Sequence, residues 1–441
     1  MLSSGSRQLV VRFRVDRAAV YVDARAFRLQ GAVRLQVALP NGRWVGQHAD
    51  QGIGSLSRLG WCLENRTDPK LFRALPSTIP EPQIESLLMQ AARHRCAHLP
   101  GAKDCDLHTG LDFSLGLAGK LEPMRAAVIE RYGEPPVLRD VPEPKADGAS
   151  LVEVTAAPLN PVDISIASGK FYAGSPPTPY VAGGEGIGRL RQGADARARV
   201  YFRAAMPNGA MAERALVSRG ETVPLPDTVP DAVAAALGTP GIAAYLGLTR
   251  RAEMKPGETV LVLGASGVLG SIAVQVARLL GAGRVVAAAR DEQALARAKD
   301  LGADATVDLK QTDGLTDRIK EATNGQLHIV IDPIWGASAV AAMDAMSLYG
   351  RFIQLGQSAS PEATLTSRTV RGRYLSVLGY GSFFVPWEDQ AVAYRRLVDY
   401  AASGKLKVET EVLPLEAAPD AWKQQASSPH RKLVLSPQAG R

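Results

Sequence analysis

Thr259-Val260-Leu261-Val262-Leu263-Gly264-Ala265-Ser266-Gly267-Val268-Leu269-Gly270 is the stretch whose reading decides the fold. An unbroken apolar run from Val260 to Leu263, without polar alternation, is what a strand buried on both faces requires. Glycines follow at 264, 267 and 270, and an apolar helical run starts at once and reaches Leu280. Glycine removes the side chain where backbone must approach a pyrophosphate, and the first turn of the next helix offers unpaired N–H groups to the anion. A G-x-x-G-x-x-G string alone says little. Between this strand and this helix it predicts a dinucleotide site built from Gly264, Ala265, Ser266, Gly267, Val268 and Gly270.

Downstream, strand and helix alternate. Arg284–Ala289, His328–Asp332 and Arg351–Leu355 read as strands, and Glu292–Leu301 as a helix. That alternation predicts an α/β fold with a doubly wound parallel sheet. Upstream the pattern differs. Strand-like segments at Met124–Ile129, Ser150–Ala156, Gly186–Arg191 and Ala198–Phe202, with Pro-rich turns between, predict an antiparallel β module. Ala-rich helices follow at Asp231–Leu237 and Ile242–Arg250, and the chain ends in a strand at Lys432–Leu435.

The second strand of the parallel unit indicates which dinucleotide is bound. Enzymes that prefer NAD place Asp or Glu at its end, about twenty residues past the loop, to hold the ribose 2′-hydroxyl. Here Ala289 precedes Arg290, and a guanidinium suits a 2′-phosphate. Asp291 keeps NAD open, but the pair favours NADP(H).

Bulk properties remove several classes. The net charge of +7 is uneven: residues 1–123 carry 16 Lys+Arg against 11 Asp+Glu, and the remaining 318 carry 35 against 33. No basic cluster accompanies an aromatic platform, so a nucleic-acid partner is not expected. No run of eighteen apolar residues exists to span a membrane. All three cysteines (Cys62, Cys96, Cys105) precede Met124, and only His328 and His430 follow it. A chain without thiols and with two scattered imidazoles lacks the donors of a tetrahedral zinc site.

From Met124 onward the chain resembles the medium-chain dehydrogenase/reductase superfamily, in its zinc-independent quinone oxidoreductase branch. The resemblance rests on Met124-Arg125-Ala126-Ala127-Val128, Asn160-Pro161-Val162-Asp163, Ser168-Gly169, Gly183-Gly184-Glu185-Gly186-Ile187-Gly188, Lys255-Pro256-Gly257-Glu258 and the glycine loop. Leu301-Gly302-Ala303-Asp304 and Gly350-Arg351-Phe352 also fit. It implies a GroES-like β-barrel catalytic domain over residues 124–240, completed by 374–441, and a Rossmann domain over 241–373. It further implies a cytoplasmic homodimer that passes hydride from NADPH to a quinone or an α,β-unsaturated carbonyl. Zinc alcohol dehydrogenases of the superfamily carry Gly-His-Glu where this chain has Gly183-Gly184-Glu185, and a Cys near Asn160. Without Lewis-acid polarisation a conjugated acceptor is the easier one, because it delocalises the charge that hydride delivers. The rival readings are a zinc-type alcohol dehydrogenase or other carbonyl reductase, and a non-catalytic NADPH-binding protein.

By the same resemblance Asn160 is expected at the nicotinamide cleft, as a hydrogen-bonding partner of cofactor or substrate. Tyr172 stands one residue beyond the family's Tyr position and is expected as proton donor, ring platform or lining aromatic. Gly356 is expected to contact the cofactor, and Asp163 is a turn or supporting residue. Ala243 replaces a Thr that relatives use near the cofactor. The glycine-punctuated stretch Gly379–Trp387 is either substrate lining with dimer contact or an ordinary strand and loop.

Residues 1–123 form an atypical extension, expected to be poorly ordered. Val-Arg alternation at Val10–Val15 suggests at most short strands, and Gln83–Leu88 a helix. Three readings stay open: an extended reading frame without a folded role, a transit segment suggested by the acid-free Met1–Arg14, and an accessory domain with Cys96, His98, Cys105 and His108 as metal ligands.

Overall fold

A computed structural model describes residues 123–439 except 147–148 and 192–195, together with four strands within residues 7–49. The chain divides into two compact units, 1–120 and 121–441. In the first, β1 (Arg7–Val15), β2 (Ala18–Leu29), β3 (Ala32–Ala38) and β4 (Trp44–Ala49) form an antiparallel meander. The Val-Arg alternation thus belongs to a nine-residue strand, longer than expected. The expected helix at Gln83–Leu88 and the Cys/His candidates lie outside the described residues.

The second unit opens with β5 (Pro123–Ile129), β6 (Val137–Pro142), β7 (Ser150–Pro158), β8 (Tyr180–Val181), β9 (Glu185–Leu190), β10 (Arg199–Ala204) and β11 (Arg214–Pro224). β5 pairs with β6 and β8. β7, β9, β10 and β11 run antiparallel in that order, and β11 pairs back on β7, so the sheet closes on itself. Closure removes sheet edges and gives the GroES-like barrel. Its interior holds Val152, Val154, Phe202, Ala215 and Met211.

The parallel sheet comprises β12 (Thr259–Leu263), β13 (Arg284–Ala289), β14 (Ala305–Asp308), β15 (Ile329–Asp332), β16 (Arg351–Gln354) and β17 (Ser376–Gly379). Their order is β14-β13-β12-β15-β16-β17, all parallel. Every residue of β12 is buried, as its unbroken apolar run requires. Each Val or Leu so buried contributes roughly 1.5–3 kcal/mol. The sheet runs past residue 373, the expected edge of the cofactor lobe, to Gly379; β17 is mostly exposed and carries no apolar stripe for sequence reasoning to detect. β18 (Thr410–Pro414) and β19 (Lys432–Ser436) return to the barrel side, where β19 pairs with β7.

Tyr201 of β10 stacks on Tyr394 of the helix Trp387–Ala402, centroids 4.0 Å apart. One continuous hydrophobic cluster takes in Tyr201 and Ile187 from the barrel, Ile272 and Val276 from the dinucleotide helix, and Tyr394 and Leu397. The two lobes are therefore packed together around a shared core. Among the described residues no helix is long and apolar enough to cross a membrane.

Candidate active site

The strand order reverses between β12 and β15, and ligands of doubly wound sheets sit in the crevice at such a point. The glycine loop lies there. Gly264 adopts a left-handed φ of +63°, and a Cβ on it would meet Ile334 at 2.7 Å. Gly270 permits close packing: a Cβ would collide with the Gly264 carbonyl and lie 2.6 Å from the Ala265 Cα. At Gly267 a Cβ would make only an ordinary van der Waals contact, 3.6 Å from the Gly264 oxygen. Gly267 caps the helix Val268–Leu279 without any side-chain hydrogen bond, which leaves first-turn N–H groups for an anion. Ala265 is buried, its N–H tied to the Ala288 carbonyl at 3.0 Å, while Ser266 and Val268 are half-buried. Gly356 follows β16, and a Cβ there would lie 2.7 Å from the Pro333 oxygen; Gly264 flanks the same Pro333. These residues fit a dinucleotide pyrophosphate, and the loop and Gly356 stand together at the switch point.

At the end of β13, Ala289 is buried and Arg290 is exposed, without an ion pair among the described residues. Asp291 is committed elsewhere: its Oδ1 accepts the Ala294 N–H at 2.7 Å, capping the helix Glu292–Asp300.

Across the crevice, Asn160 caps the helix Pro161–Ala167 and is 2 % exposed. Its Nδ2 donates to Glu185 Oε1 at 2.8 Å, and its Oδ1 accepts from Lys432 Nζ, which also donates to the Leu159 carbonyl. The amide expected to face cofactor or substrate is thus engaged at both ends by protein. Glu185 also accepts the Tyr201 hydroxyl at 2.7 Å and the Thr239 N–H at 2.9 Å. It thereby joins the barrel to the start of the helix Thr239–Leu246, which carries Ala243. Asp163 accepts the N–H groups of Asn160 and Gly184.

Two carboxylates and one ammonium share this buried cluster. Burial pushes the Asp163 carboxyl up to about 6, reinforced by Glu185 and opposed by the backbone N–H of Asn160 and by Lys432. Burial lowers the Lys432 ammonium to about 8, against the pull of Glu185 and Asp163. Burial and the Glu185 charge hold the Tyr201 hydroxyl well above its ordinary range. Lys432 escaped the sequence reading; its one signal was a lysine directly before the apolar run Leu433–Leu435 of β19, every residue of which is buried.

Tyr172 lies apart from this cluster. It is 71 % exposed, with its ring 4.5 Å from Phe171 and 6.4 Å from Phe384, while Phe171 lies 5.4 Å from Phe383. Residues 171–172 thus meet 383–384, which lie between β17 and the helix Trp387–Ala402, in an exposed aromatic mouth.

The Zinc-binding dehydrogenase family model matches residues 268–398. The chain is 30 % identical over 276 residues to the quinone oxidoreductase of Rattus norvegicus, covering 59 % of this chain and 80 % of that protein. It belongs to the medium-chain dehydrogenase/reductase superfamily, quinone oxidoreductase-like branch. Like the family, it is an oxidoreductase. A quinone oxidoreductase of Pseudomonas syringae pv. Tomato DC3000 superposes with a TM-score of 0.63 at 27 % identity, over 71 % of this chain and all of that one. A mycobacterial protein solved in complex with NADPH gives 0.64 at 25 % identity, with the same coverage.

The family model's description raises the question of zinc at Asn160, Gly184 and Glu185. These offer an amide, a residue without a side chain, and one carboxylate already hydrogen-bonded by three donors. The Lys432 ammonium reaches into the same cluster, and a second cation beside it is electrostatically opposed. This donor set does not fit a zinc ion.

Proposed function

We propose that the enzyme, acting as a cytoplasmic homodimer, passes hydride from NADPH to a quinone or an α,β-unsaturated carbonyl without zinc. The observation that carries this reading is the junction of the uncapped helix at Gly267 with an exposed Arg290 beside a committed Asp291. The likeness to quinone oxidoreductases and to a protein that binds NADPH supports it.

When bound, NADPH supplies the hydride; the chain's own residues position and shield. Gly264, Ala265, Ser266, Gly267, Val268 and Gly270 receive the pyrophosphate, Arg290 the 2′-phosphate, and Gly356 lines the crevice. Asn160 acts by position: held between Glu185 and Lys432, it fixes the start of its helix and the floor of the cleft. Tyr172 at the aromatic mouth serves as ring platform or proton donor to the reduced acceptor. A second copy pairs along β17, the outermost strand of the parallel sheet, where Val377, Leu348, Tyr349 and Tyr374 are exposed.

The test is NADPH and NADH oxidation across a panel of quinones and enones. Turnover with NADPH is expected; cofactor binding without oxidation of NADPH by any acceptor contradicts the proposal.

A further inference from the structure

Arg203 and Tyr380 carry chemistry unusual for the place they occupy. Arg203 sits on β10 opposite Glu185, and its side chain shares the face of Tyr201, two residues earlier, which stacks toward the other lobe. Its guanidinium carbon lies 5.8 Å from the Phe383 ring centroid. Half-buried, it makes neither hydrogen bond nor ion pair among the described residues. Glu185, its register partner, is occupied by Asn160, Tyr201 and Thr239.

Tyr380 follows β17, its N–H bonded to the Gln354 carbonyl at 2.9 Å. The phenol oxygen is buried, and the Ser382 hydroxyl is its polar neighbour. The positive charges of Arg203 and Arg250 both reach it. A buried hydroxyl with spare donor capacity is costly to leave unmet. Both groups can donate, and apart from the Ser382 hydroxyl beside Tyr380 no described acceptor serves either. A donor pair with local positive charge is complementary to an anion, which a guanidinium can grip with two parallel bonds. Phe171, Phe383 and Phe384 beside it form an apolar wall suited to a planar molecule.

We propose that Arg203 and Tyr380 form a subsite for an anionic group on the hydride acceptor, a carboxylate or sulfonate carried next to the conjugated system. The assignment rests on the hydride-transfer reading for its biological meaning, but its binding test does not.

Calorimetric titration of the full-length enzyme, held with NADP+ so that no reduction occurs, compares 1,4-naphthoquinone-2-sulfonate with 1,4-naphthoquinone. The wild type is expected to bind the sulfonate at least tenfold more tightly. Arg203→Met is expected to reduce that preference at least tenfold, and Tyr380→Phe about threefold. Arg203→Lys keeps the charge without the fork and is expected to fall between; with Tyr380→Phe it decides the matter if the Met variant does not fold. A wild type without preference, or variants whose preference stays within twofold of wild type, overturns the subsite. Selective sulfonate binding without NADPH oxidation by any acceptor supports the subsite and refutes hydride transfer. Turnover with an unaltered preference does the reverse.

Discussion

Lys432 donates from Nζ to the side-chain oxygen of Asn160 across 272 residues of sequence, and Asn160 in turn donates to Glu185. One ammonium and two carboxylates are thereby kept in an environment almost closed to water. Buried charges of this kind persist only when paired and hydrogen-bonded, and removing one partner leaves the others uncompensated.

Lys432→Met is accordingly expected to destabilise the enzyme by about 3–5 kcal/mol, read from urea unfolding. Adding Glu185→Gln should restore part of the loss, because the orphaned negative charge is then removed. Strictly additive losses in the double variant would show that the two residues do not share a cluster.

Asp163 makes stability depend on pH in a definite direction. Its carboxyl is pushed from 3.8 up to about 6 in the folded enzyme, so the folded state holds the proton more tightly than the unfolded one. The resulting stabilisation is complete below 3.8 and is lost as pH rises through about 6. Relative to Asp163→Asn, which cannot titrate, the wild type should lose about 2–3 kcal/mol between pH 4 and pH 7. A difference between the two that is flat over that interval would falsify the assignment.

The glycine loop separates packing from ligand approach. Gly270→Ala places a methyl against the Gly264 carbonyl and the Ala265 backbone. It should lower the melting temperature by several degrees or more, with or without NADPH. Gly267→Ala adds a methyl in ordinary van der Waals contact with the Gly264 oxygen and should leave the ligand-free melting temperature within about two degrees while weakening NADPH binding tenfold or more. If both substitutions reduced apo stability equally, Gly267 would not belong to a phosphate cradle.

Arg290→Ala tests the choice of cofactor. The Michaelis constant for NADPH should rise about tenfold or more while that for NADH changes less than twofold, as loss of a charge-assisted phosphate contact requires. Equal changes for both cofactors would remove Arg290 from the 2′-phosphate.

How much of this was legible in the sequence follows from range. β12, its loop and the helix Val268–Leu279 are contiguous, and each obeys a local rule: unbroken apolar residues for a fully buried strand, glycine where backbone touches backbone. Of the barrel strands, β5, β7, β9 and β10 were recognisable from local pattern, whereas β6, β8 and β11 were not. β17 was not, since its exposed residues show neither alternation nor a buried run, and its place is set by pairing with β16. Asn160 was singled out, but its partners were not, because Glu185 and Lys432 lie 25 and 272 residues away. Tyr172 was placed by resemblance, whereas its contact with Phe384 joins residues 212 positions apart in the chain. Asp291 looked free to hold a ribose, and only coordinates reveal that it caps a helix.

The most direct test of the central claim follows the hydride itself. Enzyme stripped of metal, with zinc content measured, is given NADPH deuterated at the transferable C4 position and an enone acceptor. The product is then weighed by mass spectrometry. Hydride delivered to the β-carbon stays on carbon, so the label cannot wash out as it would from a quinol oxygen. The account predicts one deuterium per reduced enone, at a rate unchanged by metal removal. Unlabelled product, or label that appears only after zinc is restored, would contradict it.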